Sequence, residues 1–402
     1  MLNVNQEREL AYVVLIDDIL PIAGADRVEV AQVGGWRIMV RKGQFKPGDP
    51  AVYFEIDSKV PETKTFEFLA QKHYKVKTQK YFKGTVISQG LLMSADDFGW
   101  IVDNFSLIDD KGKRHIANDS DTMFLTKQLG VTYYEAEDNK RKASSADKYQ
   151  KMAQRMGKKF AKFPYRNLMR HTWGKKLLYL FYGRKGDKKN GWPEWVKKTD
   201  EERVQNMPWI LEDKNPWIAT EKIDGTSTTF TMKRGKKGKN DVYVCSRNVV
   251  FDTPDKACYY DKNVYFEMFE KYNIKDVLTQ LLNENPKTEW VTIQGETYGE
   301  GVQKRDYSLK GRDFMAFNLI FSDRGRVGTV EMRSILTAKC VPCVPILDPN
   351  FILPDTVEDL LNMATGNSVV DGKPREGIVF RSLDGERSFK AVSNEFLLKY
   401  HG

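Results

Sequence analysis

Short runs of alternating apolar and polar residues dominate the first part of the chain. "AYVVLI" (11–16), "RVEVAQV" (27–33), "WRIMV" (36–40) and "AVYFEI" (51–56) are rich in β-branched and aromatic residues, which fit a pleated, half-buried surface. Turn-forming stretches separate them: "PIAGAD", the pair Gly34–Gly35, and "KPGDP" at 46–50. "GTVISQGLLM" (84–93) reads as a closing strand. Strands this short, at this spacing, predict a small antiparallel β-barrel or sandwich ending near residue 125.

The period then changes. Tyr149, Met152, Met156, Phe160 and Phe163 recur at steps of three and four, the stripe of an amphipathic helix that Pro164 ends or bends. "YGRKGDKKNGWP" (182–193) reads as a loop. Beyond it, strands are predicted over 217–222, 227–232, 242–247, 290–296, 314–321, 377–381 and 388–392. Helices are predicted over 264–272 (extended by "DVLTQLL"), 330–339 and 357–364. The fold class is α+β, with three segments: a small β-barrel over 1–125, a basic helical linker over 126–190, and an α+β unit of antiparallel sheets with helices over 191–402.

Composition adds three constraints. At 402 residues with 41% hydrophobic and 30% charged content, the chain has ample core for two domains. It has no apolar run of membrane-spanning length and no signal-peptide core at its start, which predicts an intracellular, cytoplasmic protein with no membrane partner. Four cysteines suit a reducing compartment. Cys340 and Cys343 form a CxxC, but Cys245 and Cys258 lie thirteen apart. A structural zinc site usually needs two close pairs, so small residues near strand ends is the stronger reading.

Charge is concentrated rather than spread. Residues 140–189 hold seventeen lysines and arginines against Asp147 and Asp187, a local +15 within a chain of net +9. Aromatics are interleaved with this block, the pattern of a phosphate-backbone contact rather than of a merely solvated helix face.

The chemistry lies in the second unit. "TEKIDG" places Lys222 at the end of an apolar strand, after Glu221 and before Asp224 and Gly225. A buried lysine is expensive unless paired or chemically employed. To act as a nucleophile it must lose a proton, which burial and neighbouring positive charge favour; Gly225 would let a ligand approach the backbone closely. Alone, the motif is weak. It is followed by "CSRN" with Arg247, "QGETYG" with Glu296, "FMAFNLI" with Phe317, "REGIVFRS" with Glu376 and "SFKAVS" with Lys390, each at a strand end or within an apolar strand.

This ordered set resembles the covalent nucleotidyltransferase superfamily of ATP-dependent ligases and RNA capping enzymes. The front half and "KTDEERVQN" (198–206) look like the nick-sealing RNA ligases that carry an amino-terminal OB-type domain. The resemblance implies that residues 1–125 are an OB-like, nucleic-acid-binding barrel and 191–402 an adenylyltransferase domain. It implies ATP as cofactor, with Mg2+ or Mn2+. Lys222 would be the nucleophile that takes AMP. Glu221 would contact the adenine amino group, Phe317 would stack on the ring, and Arg247 would hold ribose or phosphate. Asp224, Glu296 and Glu376 would surround the metal, and Lys390 would bind the α-phosphate and assist catalysis. Val392 stands where many relatives place a second lysine, with Lys399 the nearest replacement. The partner expected is RNA, at a nick in a duplex or as free ends, RNA–DNA hybrids included, and the ligase a monomer.

Three rivals share these motifs. A capping guanylyltransferase or a DNA ligase usually carries an OB domain after the catalytic unit, and only twelve residues follow Lys390 here. A non-catalytic RNA-binding protein on a ligase fold would need none of Lys222, Glu296 and Glu376. The expected reaction joins a 3′-OH to a 5′-phosphate through a lysyl-AMP and an adenylylated 5′ end.

Overall fold

In the computed structural model, strand Ala11–Leu15 lies in a sheet covered on both faces, which explains a strand with no polar residue. It pairs antiparallel with Pro50–Phe54, which pairs in turn with Leu91–Ser94. Alternation sends Ala11, Val13, Val52 and Phe54 to one core, with Phe66 and Leu69 of the short 3-10 helix Lys64–Lys72 above them. Tyr12, Val14 and Tyr53 face a second core with Trp36, Ile38 and Val40. These last come from the sheet Asp18–Pro21, Val28–Val33 and Trp36–Arg41. Among the described residues the sheets stay separate, and no single ladder closes them into a barrel.

The structure describes residues 1–3, 7–98, 106–108, 114–116, 124–134, 168, 171, 192–235, 239–251, 253–254, 256, 258–260 and 262–400. The helix expected over Tyr149–Phe163 lies outside them, as does the basic block apart from two uncharged-to-weakly-basic positions, Leu168 and His171.

One strand expected in the front unit is two. Val86–Gln89 and Leu91–Ser94 belong to different sheets. Gly90 separates them at φ 114°, pressed so closely on Tyr53 that an added Cβ would meet its ring at 2.5 Å. Only glycine adopts that conformation there without displacing the core.

The second unit has two antiparallel sheets. Six strands run in the order Val250–Phe251, Asp241–Cys245, Thr226–Lys233, Trp290–Gly299, Arg312–Phe321, Gly325–Arg326. Four run in the order Ile346–Phe351, Trp217–Lys222, Gly377–Ser382, Ser388–Val392. Helices Val264–Lys271, Ile274–Glu284 and Thr329–Thr337 cover the larger sheet through Met268, Leu278 and Met332, packed on Phe230, Ile293 and Phe314. Helix Val357–Ala364 covers the smaller one through Leu360 and Leu361. The first two helices were expected as one; Asn273, left-handed at φ 46°, ends that continuity. Strand Ile346–Phe351 and helix Asn394–Tyr400 had no expectation.

The CxxC is split between environments. Cys340 is exposed and Cys343 buried, its thiol pushed up to about 11 by burial, partly offset by Arg333. The two units meet directly: Ile87 packs with Val392 and Leu397, and Leu2 N–H donates to the Asn206 carbonyl at 2.7 Å. Among the described residues no helix is long and apolar enough to cross a membrane.

Candidate active site

Register brings the charged residues together. Lys222 ends its strand opposite Gly377, so Glu376, one residue earlier in the chain, stands beside it. The Lys222 Nζ donates to Glu376 Oε2 at 2.8 Å, with both side chains largely buried. Glu296 lies in the Trp290–Gly299 strand opposite Ser227 and Met315. Lys390 pairs with Val379 on the far side of the Glu376 strand.

Two glycines draw these strands close. A Cβ on Gly225 would meet the Thr297 carbonyl oxygen at 2.3 Å and Glu296 Cγ at 2.9 Å. The close approach expected here for a ligand is therefore made by the neighbouring strand. It fixes the Lys222–Asp224 turn against Glu296. A Cβ on Gly377 would meet the Ala391 carbonyl oxygen at 2.1 Å, which lets the Lys390 strand pack tightly. Tyr307 secures the turn from the other side, its hydroxyl accepting from Asp224 N–H at 2.7 Å.

The electrostatics correct one expectation. Burial alone would lower the Lys222 amine, as expected, but Glu376, Glu296 and Asp224 outweigh it and hold it above the ordinary lysine range. Lys222 in this state is a firmly protonated ammonium. Glu296 is pushed up to about 8, first by burial and then by the like charges of Glu376 and Asp224, with Lys222 opposing. Lys390 is lowered by burial, reinforced by Arg203 and Lys222 and opposed by Asp200.

Arg247 and Lys390 meet through a residue that had no assigned role. Asp200 Oδ2 accepts from Arg247 Nη2 at 2.6 Å, and its Oδ1 from Lys390 Nζ at 3.3 Å. Although burial raises Asp200, those two cations bring it below the usual carboxylate range. Arg203 is a second such residue. Its backbone forms a parallel bridge with Lys390, its guanidinium lies over the Trp36 ring at 5.8 Å, and its Nη1 is buried without a hydrogen-bond partner. Both belong to "KTDEERVQN"; the available signal was the run of charges just before an apolar segment.

Glu221 and Phe317 stand apart from the ion-paired group. Glu221 is 1% exposed and, one position before Lys222, points to the opposite face of the strand. Its Oε2 accepts from Val369 N–H at 2.9 Å, while Oε1 is buried with no partner. Phe317 packs in a small cluster with Ile223, Tyr298, Tyr307 and Val344, with the Arg381 guanidinium 5.8 Å from its ring.

A ring of carboxylates and two lysines at the mouths of two sheets is suited to handling phosphate with a divalent ion. A model of the RNA ligase family matches residues 215–401, which include every one of these strands. The carboxy-terminal unit is thus similar to the RNA ligase family. An OB-fold domain model matches residues 10–95 of this chain. The chain is 29% identical to Naegleria gruberi RNA ligase solved with PPi, over 98% of this chain and 99% of that one, with a TM-score of 0.63. A mutant of the Naegleria gruberi enzyme with ATP and Mn gives 28% identity, 98% and 100% coverage and a TM-score of 0.62. Another, with AMP and Mn, gives 29%, 98% and 99%, and 0.64. No curated protein matches the chain.

Proposed function

We propose that this protein is an ATP-dependent RNA ligase that seals a 3′-OH to a 5′-phosphate at nicks in duplexes, with Lys222 as the adenylated residue. The observation that carries the assignment of roles is the Lys222–Glu376 pair at 2.8 Å, at the end of a strand that also places Asp224 and faces Glu296. The ATP- and Mn-bound states of the Naegleria gruberi enzyme support ATP and a divalent ion as its cofactors.

The residues fit a hard divalent cation held through water and phosphate oxygens. Among the described residues no three His, Cys, Asp or Glu side chains gather closely enough to cage an ion. Glu296 is raised to about 8 by burial and by the charges of Glu376 and Asp224 against the pull of Lys222, a penalty that a cation held through water would relieve. Asp224, Glu296 and Glu376 are the residues that would hold it, and Mg2+ or Mn2+ there supplies charge neutralisation on the phosphoryl oxygens.

The order of events follows from the protonation state. Lys222 is held charged by carboxylates, so it becomes a nucleophile only once their charge is otherwise engaged and its proton has left. Its Nζ then forms a bond to the α-phosphorus of ATP as the bond to pyrophosphate breaks. Lys390 stands where it stabilises charge developing on the α-phosphate. AMP next passes to the 5′-phosphate of RNA, freeing Lys222, and the 3′-OH displaces AMP to form the phosphodiester. Glu221 Oε1, an unmet buried acceptor, suits the amino group of adenine, and Phe317 offers its ring to the base.

The test is label transfer. Lys222→Ala should form no covalent adduct with α-labelled ATP and seal no nick, yet keep some sealing of a pre-adenylylated nick. An adduct on the variant would overturn the assignment, and an adduct of the wild type with GTP alone would reassign the nucleotide.

A further inference from the structure

A cavity of about 820 Å3 lies between the front unit and the carboxy-terminal helix, and none of the catalytic roles above uses it. Its charged lining is Lys80, Lys83, Arg203, Lys304 and Lys399 against the single acid Asp57. These cations come from four separated pieces of chain. Lys80 and Lys83 belong to the hairpin Thr78–Tyr81/Val86–Gln89 and its turn. Arg203 belongs to the "KTDEERVQN" segment, Lys304 to the loop after the Glu296 strand, and Lys399 to helix Asn394–Tyr400.

Like charges gathered this way repel, and the fold holds them there nonetheless. Lys80 is lowered by burial and by Lys304, and its Nζ donates to the Leu398 carbonyl, which pins the hairpin to the carboxy-terminal helix. Arg203 supplies a second, independent sign. Its buried Nη1 has no hydrogen-bond partner at the cavity wall, and an unmet buried guanidinium donor is costly unless an anion arrives. The Arg203 backbone also bridges Lys390, which brings the cavity wall to the sheet that carries the Lys222 strand. Lys399, a potential replacement for the lysine missing at Val392, opens into this cavity.

We infer that this interdomain cavity holds the phosphodiester backbone of the RNA strand that carries the 5′-phosphate, leading that end to the Lys222 site. The inference rests on the ligase reading and names where its substrate lies. A strand whose end must reach Lys222 brings its next phosphates with it. The cavity offers those phosphates a cationic wall built jointly by both units, so a stable grip needs the OB-fold domain in place.

The test reverses Lys83, Lys304 and Lys399 to glutamate, singly and together, in the full chain, with Lys287→Glu as a control at the opposite end of the Glu296 strand. The first readout is the affinity for a fluorescent RNA duplex carrying one 5′-phosphate nick, over a salt series. The triple variant should bind roughly tenfold or more weakly, with the salt slope reduced by about 2 to 3, one counterion or slightly less per lost phosphate contact. The control should match the wild type. The second readout is adduct formation from α-labelled ATP by the Lys83→Glu and Lys304→Glu variants, where the Michaelis constant for ATP should stay within about twofold. Unchanged RNA affinity and slope would overturn the proposal, as would a weakened ATP response with RNA binding intact, which would give the cavity to the triphosphate tail. A wild type that forms no adduct would defeat the ligase reading instead, and the binding series would still report on the cavity. Melting curves show whether each variant is folded, and the single variants keep the test decisive if the triple is not.

Discussion

Glu376 is the hydrogen-bonded partner of Lys222, and that makes Glu376→Gln the most direct probe of the site. The substitution keeps a hydrogen-bond acceptor beside Lys222 but removes the charge. An opposite charge within about 4–6 Å moves a pKa by roughly 1 to 3 units. Here the contact is 2.8 Å and the side chains are only 24% and 12% exposed, so screening is limited. Removing the Glu376 charge should lower the Lys222 pKa, with Glu296 and Asp224 left to support the ammonium. Competitive acylation of nucleotide- and metal-free protein, read at Lys222 by mass spectrometry, measures it. At one mildly alkaline pH, Lys222 of the variant should react faster, because reactivity follows the neutral fraction. The same variant should nonetheless lose most adduct formation from ATP, since Glu376 is also among the residues proposed to hold the metal. Equal or slower acylation in the variant would refute the claim that Glu376 holds the amine charged.

Three further outcomes follow from the same geometry. Glu296 has a pKa raised above its unfolded value, so its burial costs little at low pH and progressively more as pH rises toward about 8. Glu296→Gln should therefore raise the melting temperature of the metal-free protein above pH 8 but not near pH 4, while abolishing adduct formation. A higher melting temperature at pH 4 alone would contradict the sign. Gly225→Ala should push the Lys222 turn off the Thr297 carbonyl and slow adduct formation by about 100-fold, the scale of a ~1 Å misplacement, which single-turnover labelling would detect. Asp200→Asn should loosen both Arg247 and Lys390 and slow adduct formation roughly 10-fold without unfolding the protein, seen as lost labelling under an unchanged melting curve.

Much of this fold was visible as pattern. Strands 217–222 and 388–392 and helix 357–364 lie where periodicity put them, because each combines one buried face with clear turn or cap signals. Thr356, for example, caps its helix by accepting from Asp359 N–H. The split at Gly90 was hidden because a glycine inside an apolar run looks the same whether it bends a strand or divides it. Asn273 was hidden because a left-handed asparagine carries no mark beyond its identity. In the site, motif order located Lys222, Glu296 and Glu376, but Asp200 and Arg203 needed three-dimensional proximity. Their segment lies beside Lys390 through the Glu202 carbonyl, which accepts from Lys390 N–H at 2.7 Å. The protonation of Lys222 depends on three carboxylates converging from separate parts of the chain, a sum that linear spacing does not reveal.

The pairing of the Lys222 strand with the Glu376 strand also sets a timetable. The Lys222–Glu376 contact spans 154 positions, Lys390–Asp200 spans 190, and Arg381–Glu201 spans 180. Contacts of such separation pay loop-closure entropy before they return any stabilisation, so they form late. On the ribosome, strand Trp217–Lys222 emerges well before its two partner strands, Ile346–Phe351 and Gly377–Ser382, and it waits with both edges unpaired. A nascent chain therefore has its lysine long before it has the carboxylate that keeps that lysine protonated. On the proposed roles, nucleotide chemistry becomes possible only once residues near 390 have been delivered, long after the lysine itself.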